Sequence, residues 1–126
     1  MHKNLPMDPE LAPAYEAWRS AMKGGIDLND IPATRKLMAE LASKLPKPDP
    51  VPGIRVQDMH ASAPKGGKDV LVRIYRPEDN ARVPAVLWIH GGGYVLGDIE
   101  RDHATCMNLA KFANCLIASV DYRLAP

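Results

Sequence analysis

Ala85-Val86-Leu87-Trp88-Ile89 is an unbroken apolar run, and His90-Gly91-Gly92-Gly93-Tyr94 follows it directly. No polar residue alternates within the run, so it reads as a strand buried on both faces. Glycines at a strand end lack a Cβ, which lets neighbouring backbone come close and lets N–H groups converge on one point. Donors placed in this way stabilise the negative oxygen that forms when a carbonyl is attacked. No Gly-x-Ser-x-Gly occurs among the 126 residues, so the elbow that would present an attacking serine to such a loop is missing from the sequence.

Downstream, the spacing predicts a helix over 101–113, with Ala104, Met107, Ala110 and Phe112 turned inward. Leu116-Ile117-Ala118-Ser119-Val120 is a second apolar strand. Strand, helix and strand at this spacing make a βαβ unit, in which the two strands run parallel. The fold class is therefore α/β. Upstream, residues 54–60 and 69–76 are candidate strands, and the second alternates Val70, Val72 and Ile74 against Leu71, Arg73 and Tyr75. Pro64-Lys65-Gly66-Gly67 supplies turn chemistry between them, which predicts an antiparallel hairpin with a long loop. Pro77-Glu78-Asp79-Asn80 is a polar turn.

Pro46, Pro48, Pro50 and Pro52 alternate with other residues up to Gly53, a pattern of extended linker. This divides the chain into a helical segment (1–45), a linker (46–53) and the sheet-bearing part (54–126). The helical segment carries one helix over 8–22, with Asp8 as cap and Pro9 at its first position. Pro13 sits awkwardly there and moves the start towards itself. Leu11, Ala14, Tyr15, Trp18 and Met22 share its face, and Gly24-Gly25 ends it. A second helix runs over 32–45, capped by Asp30, with Leu37, Met38, Leu41 and Leu45 as its stripe.

Lys plus Arg number 16 against 15 for Asp plus Glu, so charge gives no reason to expect nucleic acid or an anionic membrane as partner. The N-terminal residues contain no apolar signal segment, and no run approaches a membrane span. Cys106 and Cys115 lack metal-ligand spacing and read as buried, reduced thiols, which places the chain in the cytoplasm.

The stretch from His90 to Asp98, followed by Asp121-Tyr122-Arg123-Leu124-Ala125-Pro126, resembles the hormone-sensitive-lipase-like esterases, a branch of the α/β-hydrolase fold. The resemblance covers nearly the whole chain. It implies cap helices, the hairpin and one βαβ unit of an incomplete sheet, that is, the front part of a carboxylic-ester hydrolase. It makes Gly92 and Gly93 backbone donors to the oxyanion. Gly91 would permit the tight turn, His90 would support the loop, and Tyr94 would line the substrate pocket. Asp121-Tyr122-Arg123 would lock the end of the next strand. The family's serine, acid and base lie beyond Pro126, and so does the strand that flanks 85–89. Without that strand, Val86, Leu87, Trp88 and Ile89 become an exposed apolar edge. The implied partners are a small-molecule ester and the missing C-terminal part of the fold, with no cofactor and no metal. A catalytically inactive remnant or binding module with the same half-fold is the alternative.

Competing patterns are weaker. Gly92 and Gly97 have the spacing of a phosphate loop, but Asp98 stands where lysine is required. Gly91, Gly93 and Leu96 miss the dinucleotide pattern at its last glycine. Asp98, Glu100, Asp102 and His103 cluster like metal ligands, yet they precede a helix, where acids complement the macrodipole. His2 and His60 stand alone. Ser119, inside an apolar strand, has no elbow to expose it.

Overall fold

The computed structural model describes residues 7–21, 26–64, 66–79 and 82–126, and these fall into two compact units that divide between Leu45 and Pro46. Expectations for His2, Met22, Gly24, Gly25, Lys65 and Asn80 lie outside the described residues.

The first unit holds helix α1 (Ala12–Ala21) and helix α2 (Ile31–Ser43). The helix expected over 8–22 starts late. Asp8 instead closes a turn, accepting from Glu10 N at 2.9 Å. Pro13 explains the shift: its ring would clash with the carbonyl four residues back, so it tolerates only the first helical turn. Asp30 caps α2 as expected, its Oδ1 accepting from Ala33 N at 3.0 Å. Thr34 Oγ1 donates to Asp27 O at 2.8 Å and is buried.

The second unit is a four-stranded sheet with one helix against it. Strands β1 (Ile54–Ala61), β2 (Val70–Pro77), β3 (Ala85–Ile89) and β4 (Leu116–Asp121) lie in the order β1-β2-β4-β3, and α3 (His103–Phe112) connects β3 to β4. The hairpin is antiparallel, with Ile54 opposite Pro77 and Ala61 opposite Val70. β3 and β4 are parallel, with Ala85 opposite Leu116 and Ile89 opposite Val120, as the βαβ reading requires. The antiparallel pairing of β2 with β4 brings the hairpin beside the βαβ unit.

Register and alternation fix what each face carries. Ile54, Tyr75 and Ile117 face α3 and form the core with Cys106, Met107, Ala110 and Cys115. Both cysteines are free and buried, and burial pushes the Cys106 thiol up to about 11. Phe112 departs from expectation at 93% exposed, whereas Cys106 is buried, as its reading as a buried thiol expects. Two residues past Ala110, Phe112 stands about 200° further around the helix, on the side away from the sheet.

The strand whose composition predicts burial on both faces lies at the sheet edge, the position the resemblance implies for it when its flanking strand is missing. Leu87 and Ile89 are 64% and 61% exposed, and Val86 is also exposed. β4 pairs with only one side of β3, and within the second unit no described helix covers the face opposite α3. Met59 on β1 opens to that same face.

Candidate active site

β3 ends at Ile89, and the glycine loop begins at once. His90 is 3% exposed. Its Nδ1 lies 3.0 Å from Gly91 O. A carbonyl oxygen only accepts, so Nδ1 carries the proton in this contact. The Tyr122 ring stacks on the imidazole, with centroids 4.2 Å apart and planes within 15°. Tyr122 Oη donates to His90 O at 2.8 Å, and Ala125 N donates to Tyr94 O at 2.8 Å. The segment after β4 is thus tied to both ends of the loop. Arg123 reaches away from it, donating to Lys68 O at 3.4 Å.

The loop carbonyls determine where its N–H groups go. A trans peptide holds its C=O and the following N–H in opposite directions. Gly91 O is turned to His90, so Gly92 N–H is directed the other way. Gly92 O accepts from Val95 N at 3.2 Å and Leu96 N at 2.9 Å, so Gly93 N–H is directed away from that turn. Among the described residues neither N–H has an acceptor within the chain.

The need for glycine is unequal across the loop. Gly92 has φ +137°, and a Cβ there would fall 1.9 Å from Leu96 O. Gly93 has φ +62° and Gly97 φ +96°. Gly91, to which the resemblance assigns the tight turn, has open space around a Cβ and no left-handed φ, so the tight backbone belongs to Gly92. Tyr94 takes φ +64° and is 73% exposed, edge-on to Tyr122 at 6.2 Å. A left-handed tyrosine is uncommon, and here the bond from Ala125 N helps to hold it.

The acidic cluster after the loop does not converge. Asp98 Oδ1 accepts from Arg101 N at 2.9 Å. Glu100 Oε1 accepts from Arg73 Nη1 at 2.7 Å, and Asp102 Oδ2 from Trp88 Nε1 at 2.8 Å. His103 Nδ1 is hydrogen-bonded to Tyr75 Oη at 2.8 Å. Among the described residues no group of three such side chains could hold a metal ion. Asp102 sits at the N-cap of α3 but makes no capping bond. Glu100, Asp102 and His103 reach sideways and fasten the loop's far leg to β2 and β3, a role the helix-dipole reading did not include. Burial, and next the Arg73 charge, push His103 below its ordinary value, while burial raises Tyr75 to about 12. Ser119 is fully buried in β4, which removes it as a nucleophile.

Arg73 anchors this leg. It grips Asp58, directly opposite in register, through Nε at 2.6 Å and Nη2 at 2.8 Å. The Arg73 hydrogen bonds hold the Asp58 carboxyl below the usual value of 3.8. A carboxyl depressed in the folded state adds stability above its unfolded value, and loses it as pH falls through the folded one. Asp58→Asn is therefore expected to lower the melting temperature of the folded protein at pH 7, with the gap to the parent closing below about pH 4. The pair is partly exposed, so the cost is under about 1 kcal/mol. Melting curves across pH check this, and a gap that stays constant down to pH 2 contradicts it.

Two grooves open on the second unit, and neither includes the glycine loop. One of about 670 Å³ is lined by Arg55, Met59, Ile74 and Arg76 among others. The other, about 710 Å³, runs past Ile54, Arg73 and His103. Among the described residues no helix is long and apolar enough to cross a membrane.

Comparison with known proteins matches this architecture. A family profile of the α/β-hydrolase fold matches residues 86–126. Esterase LipI of Mycobacterium tuberculosis is 36% identical over 125 residues, covering 95% of this chain and 36% of the relative. An arylesterase of Saccharolobus solfataricus is 31% identical over 122 residues, with 97% and 39% covered. Among solved structures, an ester hydrolase from the metagenome of Lake Arreo superposes with TM-score 0.78 at 29% identity, covering 96% of this chain and 39% of its own. The hyperthermophilic esterase of Pyrobaculum calidifontis gives TM-score 0.75 at 33% identity, with 97% and 38% covered. The chain thus spans less than two-fifths of the length of each of these four proteins.

Proposed function

We propose that this chain, which belongs to the α/β-hydrolase fold family, carries the oxyanion-binding part of a carboxylic-ester hydrolase. The observation that carries the reading is the tying of two successive carbonyls. With Gly91 O held by His90 and Gly92 O by Val95 and Leu96, the N–H groups of Gly92 and Gly93 are left to bind a developing anion. In the reaction a serine Oγ attacks the ester carbonyl carbon, and the carbonyl π pair moves onto oxygen, where these donors receive it. The sequence holds no Gly-x-Ser-x-Gly, and on this reading the serine, its base and its acid come from outside these residues, so these residues alone are expected not to turn over. Exposed Tyr94 stands at the rim, where an acyl or alkoxy group would pack.

The test is to purify the protein as its native host makes it, measure its intact mass and assay short-chain nitrophenyl esters. A mass above 13.8 kDa with serine-dependent turnover supports the reading. The missing serine elbow favours a second reading, a binding module with the same loop. A mass of 13.8 kDa, no turnover and retained ester binding would establish that reading instead.

A further inference from the structure

We propose that Gly97 is a positioning residue of the glycine loop, an inference that rests on the esterase reading above. Gly97 has φ +96°, and a Cβ on it would lie 2.4 Å from Gly91 O and 2.6 Å from His90 Nδ1. Those are the two atoms whose contact turns the Gly91–Gly92 peptide. A methyl group at 97 therefore strikes both partners of that bond at once. The imidazole has little room to retreat, being 3% exposed and stacked against Tyr122 at 4.2 Å. The carbonyl can retreat only by rotating its peptide plane, and that rotation carries Gly92 N–H off its direction. Gly97 thus acts on the anion site through a peptide five residues earlier, without touching substrate.

Strain alone does not account for this role, and the fold offers a matched control. Gly53 also takes a left-handed φ, +79°, but its Cβ would meet only Lys111 Nζ, the end of a flexible side chain, at 3.0 Å. Gly53→Ala and Gly97→Ala both pay the left-handed penalty, and only the second disturbs the loop.

The experiment compares the two variants in the full-length protein from the native host, by melting temperature and by kcat and KM on a nitrophenyl ester. Gly53→Ala is expected to lower the melting temperature and leave kcat unchanged. Gly97→Ala is expected to lower kcat about 100-fold, the size of losing one oxyanion donor, with KM within about threefold. A folded Gly97→Ala enzyme with kcat within about twofold of the parent overturns the proposal while leaving the esterase reading intact. A parent with no turnover overturns both. Should Gly97→Ala fail to fold, His90→Ala supplies the background. Without the imidazole, both the ring contact and the tether on Gly91 O are gone, so adding Gly97→Ala is expected to cost less than about threefold in kcat. A further 100-fold loss in that background overturns the proposal.

Discussion

If the proposed esterase function holds, Gly92→Ala is expected to reduce kcat for ester hydrolysis by the protein made in its native host by about 10²–10³. Three features of Gly92 act together. Its φ of +137° is a conformation that side-chain-bearing residues avoid, and its Cβ would sit 1.9 Å from Leu96 O and 2.4 Å from Leu96 C. The obstacle is backbone, so no side-chain rotation relieves it. Leu96 N in turn donates to Gly92 O at 2.9 Å, and the loop cannot open at this point without losing the bond that aims Gly93 N–H. Both proposed donors are therefore lost with one methyl group. Gly91→Ala is the informative contrast, since its Cβ meets nothing within 4 Å, and its melting temperature should stay close to that of the parent. Steady-state kinetics and melting curves on the two variants decide the point. Full activity in Gly92→Ala would remove the loop from the mechanism.

A polypeptide of these 126 residues produced alone is expected to aggregate or to form a molten state. Among the described residues of the second unit the sheet has one helix against it, Leu87, Ile89 and Met59 are exposed on its other face, and β3 presents an unpaired edge. Leaving a large apolar side chain in water forgoes about 1.5–3 kcal/mol. Several of them together amount to much of the net stability of a domain, about 5–15 kcal/mol. An apolar edge strand also offers a template for pairing with further copies. Dye binding to exposed apolar surface, a broad thermal transition and sedimentation as mixed oligomers are the expected observations. A sharp cooperative melt of a monomer would contradict the expectation.

Local chemistry made much of this legible beforehand. Asp30 and Pro32 mark the start of α2 through capping, and the apolar runs 85–89 and 116–120 mark parallel strands because the helix between them leaves no other connection. Two features escaped, for different reasons. Phe112 lies nearly opposite Ala110 around the helix, so the helical period itself turns it away from the sheet. The acids around Glu100 and Asp102 have the spacing of a helix N-terminus, but their partners, Arg73 and Trp88, come from other strands. Gly97 carried a faint signal as a fourth glycine in the run, and its steric role emerges only once the turn brings it onto His90.

By itself the sequence determined what is set within a few residues or by strand and helix periodicity: the α/β class, the hairpin, the parallel pair, and a glycine loop at the end of β3. Only the tertiary structure decided which glycine bears the tight backbone, that β2 pairs with β4, and that Tyr122 and Arg73 brace the two legs of the loop. The physical reason is range. Backbone preference and apolar period act between near neighbours, whereas the direction of an N–H in the loop depends on where His90, Leu96, Gly97 and Tyr122 meet after the sheet has formed.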